Sequence, residues 1–324
     1  MQNTTEIDIS ENRLRNRGRV LDILLSMRNT KQNIIWATDS YTEFGRGYWS
    51  NNQVKKEQIT GGHGTLIRPR AAKSKEEQKI RTKDKAEVFT PLKVVKEMNM
   101  AIDWLSKNYP VDKDNWLDYI SELRLEITCG EGPFIAGRYN PISSSGVIVK
   151  PHSRVGFLDR KLQKVNKFAS NKADWLKYAE LALKSSYGYE WQGDNLLIAR
   201  ENILLTIDDF YRVKFKVKNG LTTKQLESFA EIISWNFFQM DGLKYVKPMS
   251  CRKDVVKPST VQKNQTRLLP IEKAQKIQIK CEGCRLGNPL AHSGEYAVVM
   301  DWQKNKKIKF VKLVSTKVAT LAQD

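Results

Sequence analysis

The chain has 324 residues, enough to bury one sizeable core with length left over for a smaller appended unit. Its 55 Lys and Arg stand against 36 Asp and Glu, a formal charge of +19 that exceeds what solubility requires and implies a polyanionic partner; an ordinary basic soluble protein is the alternative. No window reaches the roughly 18 apolar residues of a bilayer span, and no basic-then-apolar leader opens the chain, so a cytoplasmic protein without a membrane partner is expected.

In chain order, residues 1–17 are polar and expected to fray, and Val20, Leu21, Leu24, Leu25 and Met27 then recur at helical spacing. Ile34-Ile35-Trp36-Ala37 reads as a short buried strand. From Gly47 to Lys85 the chain is rich in Gly, Asn, Lys and Arg and reads as an exposed basic connector. Its candidate DNA contacts are Arg68, Arg70, Lys73, Lys75, Lys79 and Arg81, within a run that also holds His63, Lys83 and Lys85; a solvated linker is the alternative. Thr90 as N-cap and Pro91 at the first helical position open a helix carrying Val94, Val95, Met98, Ile102 and Leu105.

Leu123 to Thr128 alternates like a strand and runs into the glycine turn Cys129-Gly130-Glu131-Gly132-Pro133. A helix from Asn171 to Lys184, a strand from Ser185 to Trp191 and a long amphipathic segment from Asp194 to Phe215 follow. Leu221 to Trp235 then reads as a helix entering a strand that finishes at Gln239-Met240-Asp241-Gly242. Strands alternating with helices predict an α/β fold with a parallel sheet covered on both faces. Beyond Lys247 the chain becomes Lys-rich and Cys-containing, with strand-like Tyr296 to Met300 and Ile308 to Leu313. The expected layout is an N-terminal helical and basic region (1–86), a central α/β domain (87–247) and a small Cys/His-containing unit (248–324).

A glycine turn at the carboxyl end of the first strand lets a ligand approach the backbone with no Cβ in the way, a role open to Gly130 and Gly132. Glu190 ends the next strand, where an acid can accept hydrogen bonds from two ribose hydroxyls, and Asp241 closes the third, where its carboxylate can orient an adenine amino group. Singly, these acids would more often be surface carboxylates; in series they favour one shared site.

Four of these segments together resemble the motifs of gamma-type adenine-N6 DNA methyltransferases of restriction-modification systems. Glu87-Val88-Phe89-Thr90-Pro91 looks like the Phe-containing element of that family that contacts the methionine part of S-adenosylmethionine. Glu126-Ile127-Thr128-Cys129-Gly130-Glu131-Gly132-Pro133-Phe134 is similar to its first motif, usually Asp-Pro-Ala-Cys-Gly-Ser-Gly. Tyr189-Glu190 with Ala199-Arg200-Glu201-Asn202 resembles the second, and Gln239-Met240-Asp241-Gly242-Leu243 the third. The likeness spans residues 81 to 245, about half of the chain, with Glu126 and Ile127 in place of the usual Asp and Pro. It implies a Rossmann-like methyltransferase sheet holding the cofactor at Phe89, Thr90, Pro91, Glu126, Cys129, Gly130, Gly132, Glu190 and Asp241.

The family's catalytic Asn/Asp-Pro-Pro-Tyr/Phe motif, which grips the flipped adenine, is missing, since no Pro-Pro pair occurs in the chain. Asn140-Pro141-Ile142-Ser143 and Asn288-Pro289-Leu290-Ala291 lack the aromatic and follow no apolar strand. The sheet is therefore expected to be incomplete or split. The resemblance implies a modification subunit that binds S-adenosylmethionine and double-stranded DNA. A second chain would supply the catalytic motif, with target recognition or a nuclease as further roles for it. An inactive DNA-binding or assembly subunit of a restriction or anti-phage complex is the alternative. Finally, Cys251, Cys281-Glu282-Gly283-Cys284 and His292 offer the ligand types of a structural zinc site, with free thiols as the other reading.

Overall fold

The computed structural model describes residues 6–85, 87, 90–143, 146–251, 254–256, 277–279 and 281–314. Phe89, one of the expected cofactor contacts, lies outside the described residues. The chain forms a mixed α/β fold. Three parallel strands, β1 (Arg124–Glu126), β2 (Ser186–Glu190) and β3 (Phe237–Gln239), lie side by side in chain order. Helices precede and separate them: α1 (Glu6–Arg15), α2 (Val20–Leu25), α3 (Lys75–Lys85), α4 (Leu92–Leu105), α5 (Trp116–Ser121), α6 (Phe157–Phe168), α7 (Lys172–Lys184), α8 (Gly193–Phe215) and α9 (Thr223–Asn236).

The register pairs Glu126 with Gly188 and Gly188 with Phe237, and Leu125 with Tyr187. Because side chains alternate across a strand, Arg124, Glu126, Ser186, Gly188, Glu190, Phe237 and Gln239 share one sheet face. That face meets the main core, which runs from Leu14 and the residues of α2 through Trp36, Phe157, Leu196 and Ile203 to Phe237. Residues on both sides of position 86 therefore contribute to a single core. The other face carries Tyr189 and Phe238, which pack with Met240, Ala297, Val299 and Phe310 in a second, smaller core. A hairpin of β6 (Val298–Asp301) and β7 (Lys306–Lys309) supplies the C-terminal part of it. A short antiparallel pair, β4 (Asp254–Val256) with β5 (Ile277–Ile279), and the one-turn helix α10 (Glu282–Leu286) complete the described elements.

Several expectations change on this backbone. Of the residues expected to fray, Glu6–Arg15 form α1, because Ile7 and Leu14 are buried and Arg15 pairs with Glu201 of α8 at 2.7 Å. Ile34 to Ala37 is buried but makes only an isolated bridge, Ile35 with Gln53. Its link to the sheet is a side-chain amide: Gln239 donates to the Ile35 carbonyl (2.8 Å) and accepts from the Ile35 N–H (2.9 Å). Pro91 serves as the N-cap of α4, so the helix begins one residue later than expected, and no side chain caps that end, so Thr90 is not the capping group.

Candidate functional site at the strand ends and a cysteine-histidine cluster

The carboxyl ends of β1, β2 and β3 bring Glu126, Glu190 and Asp241 to one end of the sheet. After β1 the backbone reverses sharply, with Thr128, Gly130 and Gly132 at φ of +49°, +53° and +78°. Such angles favour glycine, and a Cβ built on Gly130 would meet nothing within 4 Å, so the turn leaves open space above its first glycine. Gly132 sits closer in: its Cβ would lie 3.6 Å from Ala199 of α8, so this second glycine packs the turn onto the helix that follows β2. Cys129 faces the core and is buried, and its N–H donates to the Tyr189 carbonyl (2.8 Å), which ties the turn to the end of β2. Its side chain packs in the main core.

One hydrogen bond joins the first two motifs. Gly130 N–H donates to Glu190 Oε2 (2.9 Å), and Gln192 N–H donates to Oε1 (3.1 Å). Burial pushes the Glu190 carboxyl up to about 7 despite these two donors. Glu126 is half-buried and has no hydrogen-bond donor among the described residues, and burial alone raises its carboxyl to about 7. It is an acceptor without a partner at the mouth of the turn. Asp241 is engaged differently: Oδ1 accepts from the N–H groups of Leu243 (3.0 Å) and Lys244 (3.2 Å), and Lys244 Nζ lies 3.3 Å from Oδ2. Leu243, beside it, is an exposed apolar side chain.

No continuous helix follows the glycine turn directly. Ile135 and Ala136 N–H groups donate to the Gly132 carbonyl, making a single turn, and the chain then leaves until Gly156. There Phe157 and Leu158 N–H groups donate back to the carbonyls of Phe134 and Ile135 (2.8 and 3.0 Å), so α6 takes up the turn where it stopped. Close approach makes this possible, because a Cβ on Gly156 would lie 2.3 Å from the Ile135 carbonyl oxygen. The excursion is pinned by Arg138 and Arg154, which both pair with Asp209 of α8 (3.1 and 2.6 Å).

The basic connector is less exposed than its composition implies. Lys73 and Arg81 are buried. Arg81 donates to both oxygens of Glu87 (2.9 Å each, from Nε) and to Asp194 of α8 (2.6 Å), while Tyr41 donates to the same Asp194 oxygen (2.8 Å). Lys73 Nζ has no hydrogen-bond partner, and burial lowers its pKa. Arg68 pairs with Glu77 (2.7 Å), and Arg70 donates to Thr82 and to the Gln78 carbonyl. Lys75, Lys79 and Lys83 remain exposed on α3. A cavity of about 650 Å³ opens beside this network, lined among others by Tyr41, Phe44, His63, Arg68, Lys73 and Arg81 rather than by the strand-end acids. The tie between Arg81 and Asp194 is invisible to sequence patterning, since the two lie 113 positions apart along the chain.

The four metal-ligand candidates converge. The Sγ atoms of Cys251, Cys281 and Cys284 and a ring nitrogen of His292 all lie within 4.8 Å of one another, so the cluster can hold a metal ion. Cys281 caps α10 and Cys284 lies in its single turn, which places two thiols side by side. Gly283 between them is required, because a Cβ there would stand 2.7 Å from both N and Nδ1 of His292. The surrounding backbone supports the ligands: Ser293 N–H donates to Cys281 Sγ (3.2 Å), and the Tyr296 hydroxyl accepts from His292 N–H (3.0 Å). The cluster also borders the third strand end. Lys247 N–H donates to the Glu295 carbonyl, Ala297 N–H to Tyr245, and Asp241 N–H to Val246, so the turn carrying Asp241 is laced to the segment carrying His292.

No helix among the described residues is long and apolar enough to cross a membrane. Comparison of the chain with family models, with curated proteins and with solved structures returns no match.

Proposed function

We propose that the chain binds S-adenosylmethionine at the carboxyl end of its parallel sheet and acts as the cofactor- and DNA-binding subunit of an adenine-N6 DNA methyltransferase. The observation that carries this reading is the order of the strands. Three parallel strands follow one another in space as in sequence, the first two end on an acid and the third is followed two residues on by Asp241, and the glycine turn of the first is hydrogen-bonded to the acid of the second. Glu126 fits the group's ammonium, as an acceptor with no donor of its own; Glu190 fits the ribose hydroxyls through its remaining lone pairs; and the space above Gly130 admits a ligand against the backbone. When bound, the cofactor supplies an electrophilic methyl group. The groups that would hold the target adenine belong to a second chain, because this one lacks the Pro-Pro element.

The second reading, a subunit of the same fold that assembles on DNA without cofactor, is favoured by one observation: Asp241 and both oxygens of Glu190 already accept backbone N–H groups. Calorimetry separates the two. Glu126 and Glu190 make the stronger, charge-assisted hydrogen bonds to ligand donors only when ionised, and both carboxyls are raised to about 7. Affinity for S-adenosylmethionine is therefore expected to rise as pH increases through about 7 and to fall below it, by up to about tenfold per pH unit for each protonated group. Binding that is absent, or that does not change between pH 6 and 7.5, favours the second reading.

DNA binding is proposed to rest on the exposed lysines of α3 and not on the buried Lys73 and Arg81. Replacing Lys75, Lys79 and Lys83 with alanine is expected to flatten the slope of log K against log salt by about 0.9 for each phosphate that is no longer neutralised. Fluorescence anisotropy on a duplex across a salt series measures it. An unchanged slope would place the DNA-binding surface elsewhere.

The metal proposed for the cluster is zinc, in a closed structural site. Zn–S bonds of about 2.3 Å and Zn–N bonds of about 2.0 Å in a tetrahedron set the N to S edge at about 3.5 Å. The His292 Nδ1 atom is 3.6, 3.6 and 3.7 Å from the sulfurs of Cys251, Cys281 and Cys284. Three nearly equal edges of this length fit one shared tetrahedral ion better than three competing S–H donors.

A further inference from the structure

An open groove of about 420 Å³ runs between α3 and the excursion that follows the glycine turn. Its cations are Arg70, Lys75, Lys79 and Lys83, and among the described residues no acidic side chain lines it. The lysines stand at i, i+4 and i+8, on one face of α3, and all are exposed. Glu77 of the same helix pairs with Arg68 (2.7 Å) and lines the cavity beside Tyr41 instead. That larger cavity sets Glu43 and Glu77 among its cations, whereas the described lining of this groove carries one sign of charge.

Ile142, from the excursion, is the apolar part of the lining and is 49% exposed. Its presentation follows from Asn140-Pro141-Ile142-Ser143, residue types that suit a tight turn. Pro141 is preset for the second position, the Ser143 N–H donates to the Asn140 carbonyl (3.1 Å), and Asn140 Oδ1 accepts from the Ile142 N–H (3.3 Å). The two walls are joined into one surface. Tyr139, next to this turn, packs with Ala71, next to Arg70, in a small buried core with Ile7. The Arg70 N–H and the Tyr139 hydroxyl also donate to the two oxygens of one buried carboxylate, Glu131 (2.7 Å each). Glu131 lies between Gly130 and Gly132, so both walls are anchored on the glycine turn itself.

We infer that this groove takes one strand of DNA, with its phosphates along Lys75, Lys79 and Lys83 and an opened base step against Ile142. From Lys75 to Lys83 the helix rises about 12 Å, the axial length of roughly three to four phosphates in one strand of B-form duplex. Phosphates account for the cations but gain nothing from an apolar side chain held among them. The face of a base does, and isoleucine is among the side chains that wedge into base steps. A small free anion would leave Ile142 uncovered, and an acidic peptide would match the charge without a flat ring to lay on it. That the strand is DNA rests on the function proposed above; the groove's charge and its apolar wall stand without it.

Fluorescence anisotropy of the full chain with two labelled duplexes, one fully paired and one carrying a central mismatch, tests the inference. A mismatched step costs less to unstack, so that duplex is expected to bind at least about tenfold tighter. Ile142→Ser, at an exposed position, should make the two affinities equal while its salt slope and far-ultraviolet circular dichroism stay those of the wild type. Val213→Ser, at an exposed apolar position of α8, should keep the preference. Lys79→Ala combined with Lys83→Ala should weaken both duplexes alike and flatten both salt slopes. A preference that survives Ile142→Ser overturns the inference, as does polyglutamate that displaces the mismatched duplex as well as unlabelled DNA does. Equal affinity of the wild type for both duplexes, with a normal salt slope, removes the base contact and leaves the DNA-binding reading standing; no binding of either duplex removes both.

Discussion

Replacing Cys281 with serine is expected to release the metal and to loosen the described residues around it, Asp241 to Cys251 and Cys281 to Ala297, without unfolding the main core. The effect should be large, because this part of the chain offers little apolar surface of its own. The described core beside the cluster consists of Tyr189, Phe238, Met240, Ala297, Val299 and Phe310, all on the sheet side. Around Cys251, Cys284 and His292 the structure is held by backbone hydrogen bonds and by the ligands themselves. In small structural zinc sites the apparent binding free energy at neutral pH is about 10–16 kcal/mol, and it is folding free energy. Loss of one ligand removes most of it locally. Elemental analysis of protein purified without chelator is expected to give about one zinc per wild-type chain and a small fraction of that for Cys281→Ser. Hydrogen exchange should then rise at Asp241 to Val246 and at Gly283 to Ala297, and stay slow in α8 and β2. Wild-type protein free of metal, with those amides already protected, would leave the cysteines as packed thiols.

The elements that sequence patterning resolves are those whose signals are local. Asn171 caps α7 by accepting from Asp174 N–H (3.0 Å), and Thr222 with Gln225 forms a reciprocal capping box at the start of α9. Both helices lie within a residue or two of where the sequence puts them, and β2 follows α7 at once. The three strand-end acids and the Cys/His set are also legible, because turn chemistry and ligand spacing are short-range patterns.

What escapes depends on distant partners. The segment expected to be amphipathic, α8, is buried almost all round, and its polar residues are matched by groups far along the chain: Glu201 by Arg15, Asp194 by Arg81, and Asn202 by the Glu131 carbonyl. Periodicity assigns such residues to solvent because it cannot see the partner. The same blindness reverses α4, whose apolar stripe periodicity assigns to a core yet is exposed, while Asn99 and Asp103 face inward. It also hides the basic connector's burial, since Lys73 and Arg81 are held beneath Tyr41 and α8 by contacts formed only in the fold. The interrupted first turn of α6 has no local mark except Gly156, the residue that lets the chain return within contact of Ile135.

Titrating S-adenosylmethionine into wild type and Glu190→Ala at pH 7.5 decides whether the strand ends form a site for it. In the proposed site Glu190 would offer its free lone pairs to the ribose hydroxyls, and in the structure it accepts from the Gly130 N–H of the glycine turn. Its removal deletes two hydrogen bonds to a charged acceptor, each worth roughly 1.5–3 kcal/mol, so the dissociation constant should rise by at least about 100-fold. Far-ultraviolet circular dichroism should remain unchanged, because Glu190 pairs with backbone groups at the sheet's open end and with no element of the main core. Saturable binding by the wild type, abolished in Glu190→Ala, is the result this account predicts. Equal affinity in the two proteins, or no binding by the wild type, would contradict it.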